Sequence, residues 1–155
     1  MQIVPLADRK EFIEELAELH HAEWSYLNPS QTLQKRTEAI SNAAGREGIP
    51  SFFIAIAEHN LLGSAALVQH DMDTKPELFP WLAAVYVKEN FRHQGIATLL
   101  ITRCEQEAAQ SGADRWYLYT EFATPLYQKL GWNHLEGCVY KGATVNVMYK
   151  NIACY

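Results

Sequence analysis

An apolar run, Trp81-Leu82-Ala83-Ala84-Val85-Tyr86-Val87, stands one short polar loop ahead of a helix-period segment over residues 95–111, and this pairing restricts the fold more than any other feature. The run is short and rich in aromatic and branched residues, which predicts a buried strand. After it, Ile96, Leu99, Leu100, Cys104 and Ala108 recur on one helix face, and Gly112 supplies a stop. A further strand is expected over residues 115–120. With one helix as the only crossover, the two strands must run parallel, and a right-handed connection puts the helix start at the carboxyl end of the first.

The loop between them reads Arg92-His93-Gln94-Gly95-Ile96-Ala97. At a helix start the first amide hydrogens lack partners, and the summed peptide dipoles act as roughly half a positive charge. Gly95 leaves the backbone approachable, Ala97 and Thr98 keep the next turn open, and Arg92 adds a cation, so the segment suits a phosphate. A helix whose start merely carries a glycine and an arginine is the plain alternative. The dinucleotide fingerprint, with three spaced glycines, and the triphosphate loop, with its Gly-Lys-Ser/Thr ending, are both absent.

The loop resembles the R-x-x-G-x-A/G signature of the GNAT superfamily, the acetyl-coenzyme A dependent N-acetyltransferases. A second block, Thr124-Pro125-Leu126-Tyr127-Gln128-Lys129-Leu130-Gly131-Trp132, is similar to the later motif of that superfamily: a short helix containing Leu-Tyr and closed by Gly and an aromatic. The resemblance covers the chain from about residue 52 to 150 and is looser before that. It implies an α/β (α+β) fold, a twisted, mixed, mostly antiparallel sheet flanked by helices, with one splayed parallel strand pair. It also implies acetyl-coenzyme A as cosubstrate and no metal. Val85 and Val87 would bond pantetheine through their main chain, and Arg92, His93, Gln94, Gly95, Ile96, Ala97 and Thr98 would cradle the pyrophosphate. Tyr127 would act as the general acid that protonates the departing thiolate; as a plain core residue it would only pack the short helix on the sheet.

One position departs from that pattern. Many members carry a glutamate two residues before the position of Val85, and here the residue is Ala83. An alkylamine with a pKa of about 10 is mostly protonated at neutral pH, so transfer to it benefits from a base or a desolvating pocket. Glu121, directly after the second parallel strand, ranks first as a replacement base; its structural alternative is capping of the helix ahead of Tyr127. Glu23, Trp24, Tyr26, Asp71 and Asp73 are candidates for the acceptor site, although solvated charge explains the carboxylates equally well. The loss at Ala83 also motivates a second reading, a non-catalytic module that senses acyl-coenzyme A, against which the retained Tyr127 speaks.

Composition sets the remaining bounds. A chain of 155 residues, nearly half of them apolar, fits a single domain over residues 1–155. No stretch is long enough to span a membrane, and no leader pattern opens the chain, so a cytoplasmic location is expected. A net charge of −5 argues against a broad nucleic-acid surface. Cys104, Cys138 and Cys154 fit neither a disulfide framework nor paired ligand spacing and read as free thiols. His20-His21-x-Glu23 and His70-x-x-Asp73 each lack the three or four converging ligands zinc requires. The resemblance points to a small bacterial-type member of unassigned substrate, acting on a small-molecule or peptide amine; strand edges in the superfamily often pair into a homodimer, and no residue here decides that point.

Elsewhere, a first strand is expected over residues 1–6. Asp8 and Glu11 are expected to cap a helix whose apolar face uses Phe12, Leu16, Leu19 and Trp24. Asn28-Pro29-Ser30 should break it, and a second helix should run through Leu33, Thr37 and Ile40 to a stop at residues 45–50. Residues 51–57 and 61–69 read as a hairpin turning at His59-Asn60, and residues 145–150 as the closing strand.

Overall fold

The computed structural model describes residues 1–152, and Cys154 lies outside the described residues. One seven-stranded sheet organises the chain, in the order β1 (Gln2–Pro5), β2 (Ser51–Ala57), β3 (Asn60–Val68), β4 (Trp81–Val87), β5 (Arg115–Thr120), β7 (Ala143–Asn151), β6 (Asn133–Tyr140). Every neighbouring pair is antiparallel except β4 and β5, which are parallel as the single crossover requires. The crossover is helix α3 (Ile96–Gln110).

Two-residue periodicity sorts the strands onto two cores. Phe53 and Ala55 of β2 join Leu100, Cys104 and Ala108 of α3 on one face. Phe52, Ile54 and Ile56 point the other way, toward Leu16 and Ala17 of α1 (Ile13–Trp24) and Ile40 of α2 (Leu33–Ala43). Because both faces are covered, β2 and β3 read as continuous apolar runs. A third cluster around Trp81, Tyr140 and Val147 closes the β5–β7 end. Among the described residues, no helix is long and apolar enough to cross a membrane.

Three expectations need correction. The first strand stops at Pro5, and Asp8 and Glu11 cap nothing: two 3-10 turns precede α1, whose start has no side-chain cap, and the carboxylates pair instead with Arg46 and Arg9. The hairpin turns one residue earlier than expected, so that Asn60 already belongs to β3. Strand β6 was not anticipated. It is an edge strand exposed along most of its length, with Val139 at 73%, so it lacks the alternation by which a half-buried strand is read.

β3 and β4 approach closely at Gly63. An added Cβ there would meet the Tyr86 carbonyl oxygen at 2.4 Å and the Val87 Cα at 3.2 Å, both backbone atoms that cannot rotate away. Gly63→Ala is therefore expected to cost about 1–3 kcal/mol by overpacking, seen as a lower urea midpoint with an unchanged slope.

Candidate functional site

β4 and β5 share a single ladder pair, Trp81 with Tyr117, and then diverge. Trp81 is fully buried, its indole N–H donates to the Leu78 carbonyl at 2.8 Å, and its ring lies 5.8 Å from Tyr117 and 6.3 Å from Tyr119. Beyond this pin the β5-facing edge of β4 is unpaired, and a cleft of about 780 Å³ opens between the strands and under α1 and α2. Glu23, Trp24, Tyr26, Asp71, Val85, Glu121 and Tyr127 all line it, although they come from five separate stretches of chain. Asp73 and Val87 do not line it.

A bulge shapes the β4 wall. Ser64 pairs with Tyr86 and Ala66 with Ala83, so Ala84 and Val85 together oppose one residue, and Ala84 takes a left-handed φ of 54°. The Ala84 carbonyl, turned out of the ladder, accepts from the Ser64 hydroxyl at 2.8 Å. That spends the only proton of Ser64, so the 2.9 Å contact to buried His20 must be donated by His20 Nε2–H. Burial, with Arg36 nearby, lowers the His20 pKa to about 3, which keeps the ring neutral, and the bond to Ser64 sets its tautomer. This uses His20 structurally; sequence offered no sign of a partner 44 positions away.

Tyr127 lies on the short helix α4 (Thr124–Lys129), 7% exposed, with its ring edge-on to Trp132 at 6.1 Å. It belongs to the α3-side core and also borders the cleft. Desolvation pushes its phenol up to about 12. Glu121 does not cap α4: the amide of Ala123 is satisfied by the Thr120 hydroxyl at 3.0 Å. Instead Glu121 accepts from the Tyr26 hydroxyl at 2.6 Å, joining two candidates 95 residues apart. That bond is the main reason the Tyr26 phenol is raised to about 12. Burial raises the Asp71 carboxyl to about 6, partly opposed by Lys141. Ala83 also lines the cleft, and its own side chain offers no carboxylate.

The loop expected to hold phosphate lies outside this cleft, at the other end of the same strand. His93 and Gly95 adopt left-handed φ values of 64° and 82°, and the first amide of α3 to find a partner is Leu99, on the Gly95 carbonyl at 3.2 Å. Among the described residues the amides of residues 93–98 have no backbone or side-chain acceptor, which suits an anion at this helix start. Space above Gly95 is open, since an added Cβ would meet nothing within 4 Å; glycine is needed there for its φ. Arg92 is held rather than free, its Nε donating to the Val87 carbonyl at 2.8 Å and its guanidinium 5.8 Å from the Tyr86 ring centre. The donor set, amides flanked by a cation and reached along an open strand edge, suits a pyrophosphate with a pantetheine-like arm.

Arg36 and Lys141 line the cleft without a sequence expectation, and His70, weighed from the sequence only as a metal ligand, lines it too. Arg36 carried a usable signal, because it sits one turn, four residues, before Ile40, the buried residue of α2.

The model of the acetyltransferase (GNAT) family matches residues 13–132. Among solved structures, an aminoglycoside 6'-N-acetyltransferase complexed with coenzyme A superposes with a TM-score of 0.79 at 18% identity, over 100% of this chain and 99% of that one. The aminoglycoside 6'-N-acetyltransferase from Enterococcus faecium gives 0.75 at 16% identity, over 100% and 99%. A GNAT acetyltransferase from Staphylococcus aureus Mu50 gives 0.73 at 18%, over 98% and 99%. At such identities the likeness is one of fold, and among curated protein sequences none matches. The family model spans most of the chain, including the pyrophosphate-type loop and the Tyr127 block, and this protein belongs to the GNAT family of acetyltransferases.

Proposed function

We propose that the protein is an acetyl-coenzyme A dependent N-acetyltransferase acting on a primary amine of a small molecule or peptide by direct attack in a ternary complex. The observation that carries this reading is that Tyr127 and Glu121 line one cleft at the β4–β5 splay, and that β4, which walls it, leads to the amides of residues 93–98, without acceptors among the described residues. When bound, acetyl-coenzyme A supplies the thioester carbonyl. A C–N bond forms, the C–S bond breaks, the amine gives up a proton and the thiolate takes one.

The residues of the chain divide that work. The loop of residues 92–98 holds the diphosphate, and the unpaired main chain around Val85, re-aimed by the bulge at Ala84, faces the pantetheine. Tyr127 is a protonated phenol at neutral pH, as tyrosine ordinarily is, and burial raises its pKa further, so it has a proton to offer the sulfur. Glu121, anchored by Tyr26, receives the proton of the amine directly or through water. Glu23, Trp24 and Asp71 border the acceptor.

Tyr127→Phe is expected to lower kcat by roughly 100-fold with little change in coenzyme A affinity, in steady-state assays paired with calorimetry; an unchanged kcat removes the tyrosine from the mechanism. Gly95→Ala must leave a φ of 82° or strain it at about 1–2 kcal/mol, so its Kd for coenzyme A should rise roughly 5- to 30-fold. For Asp71, folding raises an acid, so the native state holds its proton longer than the unfolded chain and stability falls as pH climbs from 3.8 to about 6. Asp71→Asn removes that loss: its Tm advantage should be near zero below this window and full above it, by thermal unfolding across pH.

A further inference from the structure

Arg36 is the one arginine among the described residues with a buried nitrogen that has no hydrogen-bond partner, its Nε. It lines the same cleft as Tyr127 and Glu121, is half-buried, and forms no ion pair among the described residues, although Glu23, Asp71 and Glu121 border the same space. Its neighbour His20 cannot answer the charge, because that ring is neutral and its Nε2–H is committed to Ser64. A guanidinium that loses water without gaining a counter-charge is costly to keep, and burial pulls its pKa down accordingly.

The position of that charge is specific. Arg36 projects from α2, whose Ile40 one turn later packs on Phe52, Ile54 and Ala66 of β2 and β3. Glu121 follows β5, on the opposite side of β4 from those two strands, while Asp71 follows β3; both line the cleft. The cleft thus has a cationic wall on α2 and an acidic wall around Glu121, and Asp71 has Lys141 beside it to offset its charge. A polycationic amine would meet an unpaired arginine. A molecule with an amine at one end and an anion at the other would satisfy both walls, and a planar carboxylate matches the guanidinium fork.

We propose that the acceptor is an amine that carries a carboxylate, an amino acid or a close derivative, with Arg36 holding the carboxylate while the amine faces Glu121 and the Tyr127 side of the cleft. This rests on the transferase reading for its chemistry, and the anion subsite itself can be measured without turnover.

The test is calorimetric titration of the coenzyme A complex with glycine, γ-aminobutyrate and phenylalanine, each against its own carboxamide, for the parent protein, R36Q and R36K. At least one acid should bind roughly 10- to 100-fold more tightly than its amide. R36Q should abolish that preference and R36K should retain part of it. Equal affinity for every acid and amide, or a preference that survives in R36Q, overturns the proposal, as does a preference for O-phosphoethanolamine over ethanolamine with none for the carboxylates. Weaker coenzyme A binding in R36Q with the acid preference intact assigns the arginine to the cofactor and equally overturns it. Thiol release measured with the same acids separates the two readings: preferential binding without release removes the transferase and leaves the carboxylate subsite standing.

Discussion

The divergence of two parallel strands after a single shared pair is the constraint on which the rest of this molecule depends. Trp81 enforces it, buried between the Leu78 carbonyl and the Tyr117 and Tyr119 rings, so that β4 and β5 are pinned at one end. A sheet interior normally pairs its backbone groups on both sides, and leaving one edge open is costly unless a ligand takes the place of the missing strand. The cleft, the exposed main chain around Val85 and the placement of α4 all follow from that opening.

The His20–Ser64–Ala84 chain answers a related problem. A left-handed alanine in a strand is strained, and it persists only where its surroundings hold it. Here a buried hydroxyl fixes the displaced carbonyl and a neutral imidazole fixes the hydroxyl. Rigid support of this kind turns a bulge into a defined wall, which precise alignment of reacting groups requires.

Much of the fold was legible because burial on both faces leaves long apolar runs, as in β2, β3 and β4, and because α3 carries one clear stripe closed by Gly112. β6 was not legible, since an exposed edge strand such as Asn133–Tyr140 is held by pairing with β7 rather than by a buried face. Caps misled at Asp8 and Glu11, where neighbouring arginines compete for the carboxylates. In the site, Tyr26 and Glu121 each drew notice separately, but their 2.6 Å bond joins segments 95 residues apart and no local pattern encodes it.

The sequence alone determined the strand–loop–helix unit, the parallel relation of its flanking strands and the glycine at the start of α3, because these rest on periodicity, connection length and backbone freedom within some forty residues. Only the tertiary structure decided which charges face the cleft, that Arg92 is tied to Val87 while the Arg36 Nε has no partner among the described residues, and that His20 serves a bulge. Those outcomes depend on desolvation and on contacts between distant segments, quantities that exist only once the chain has closed around them.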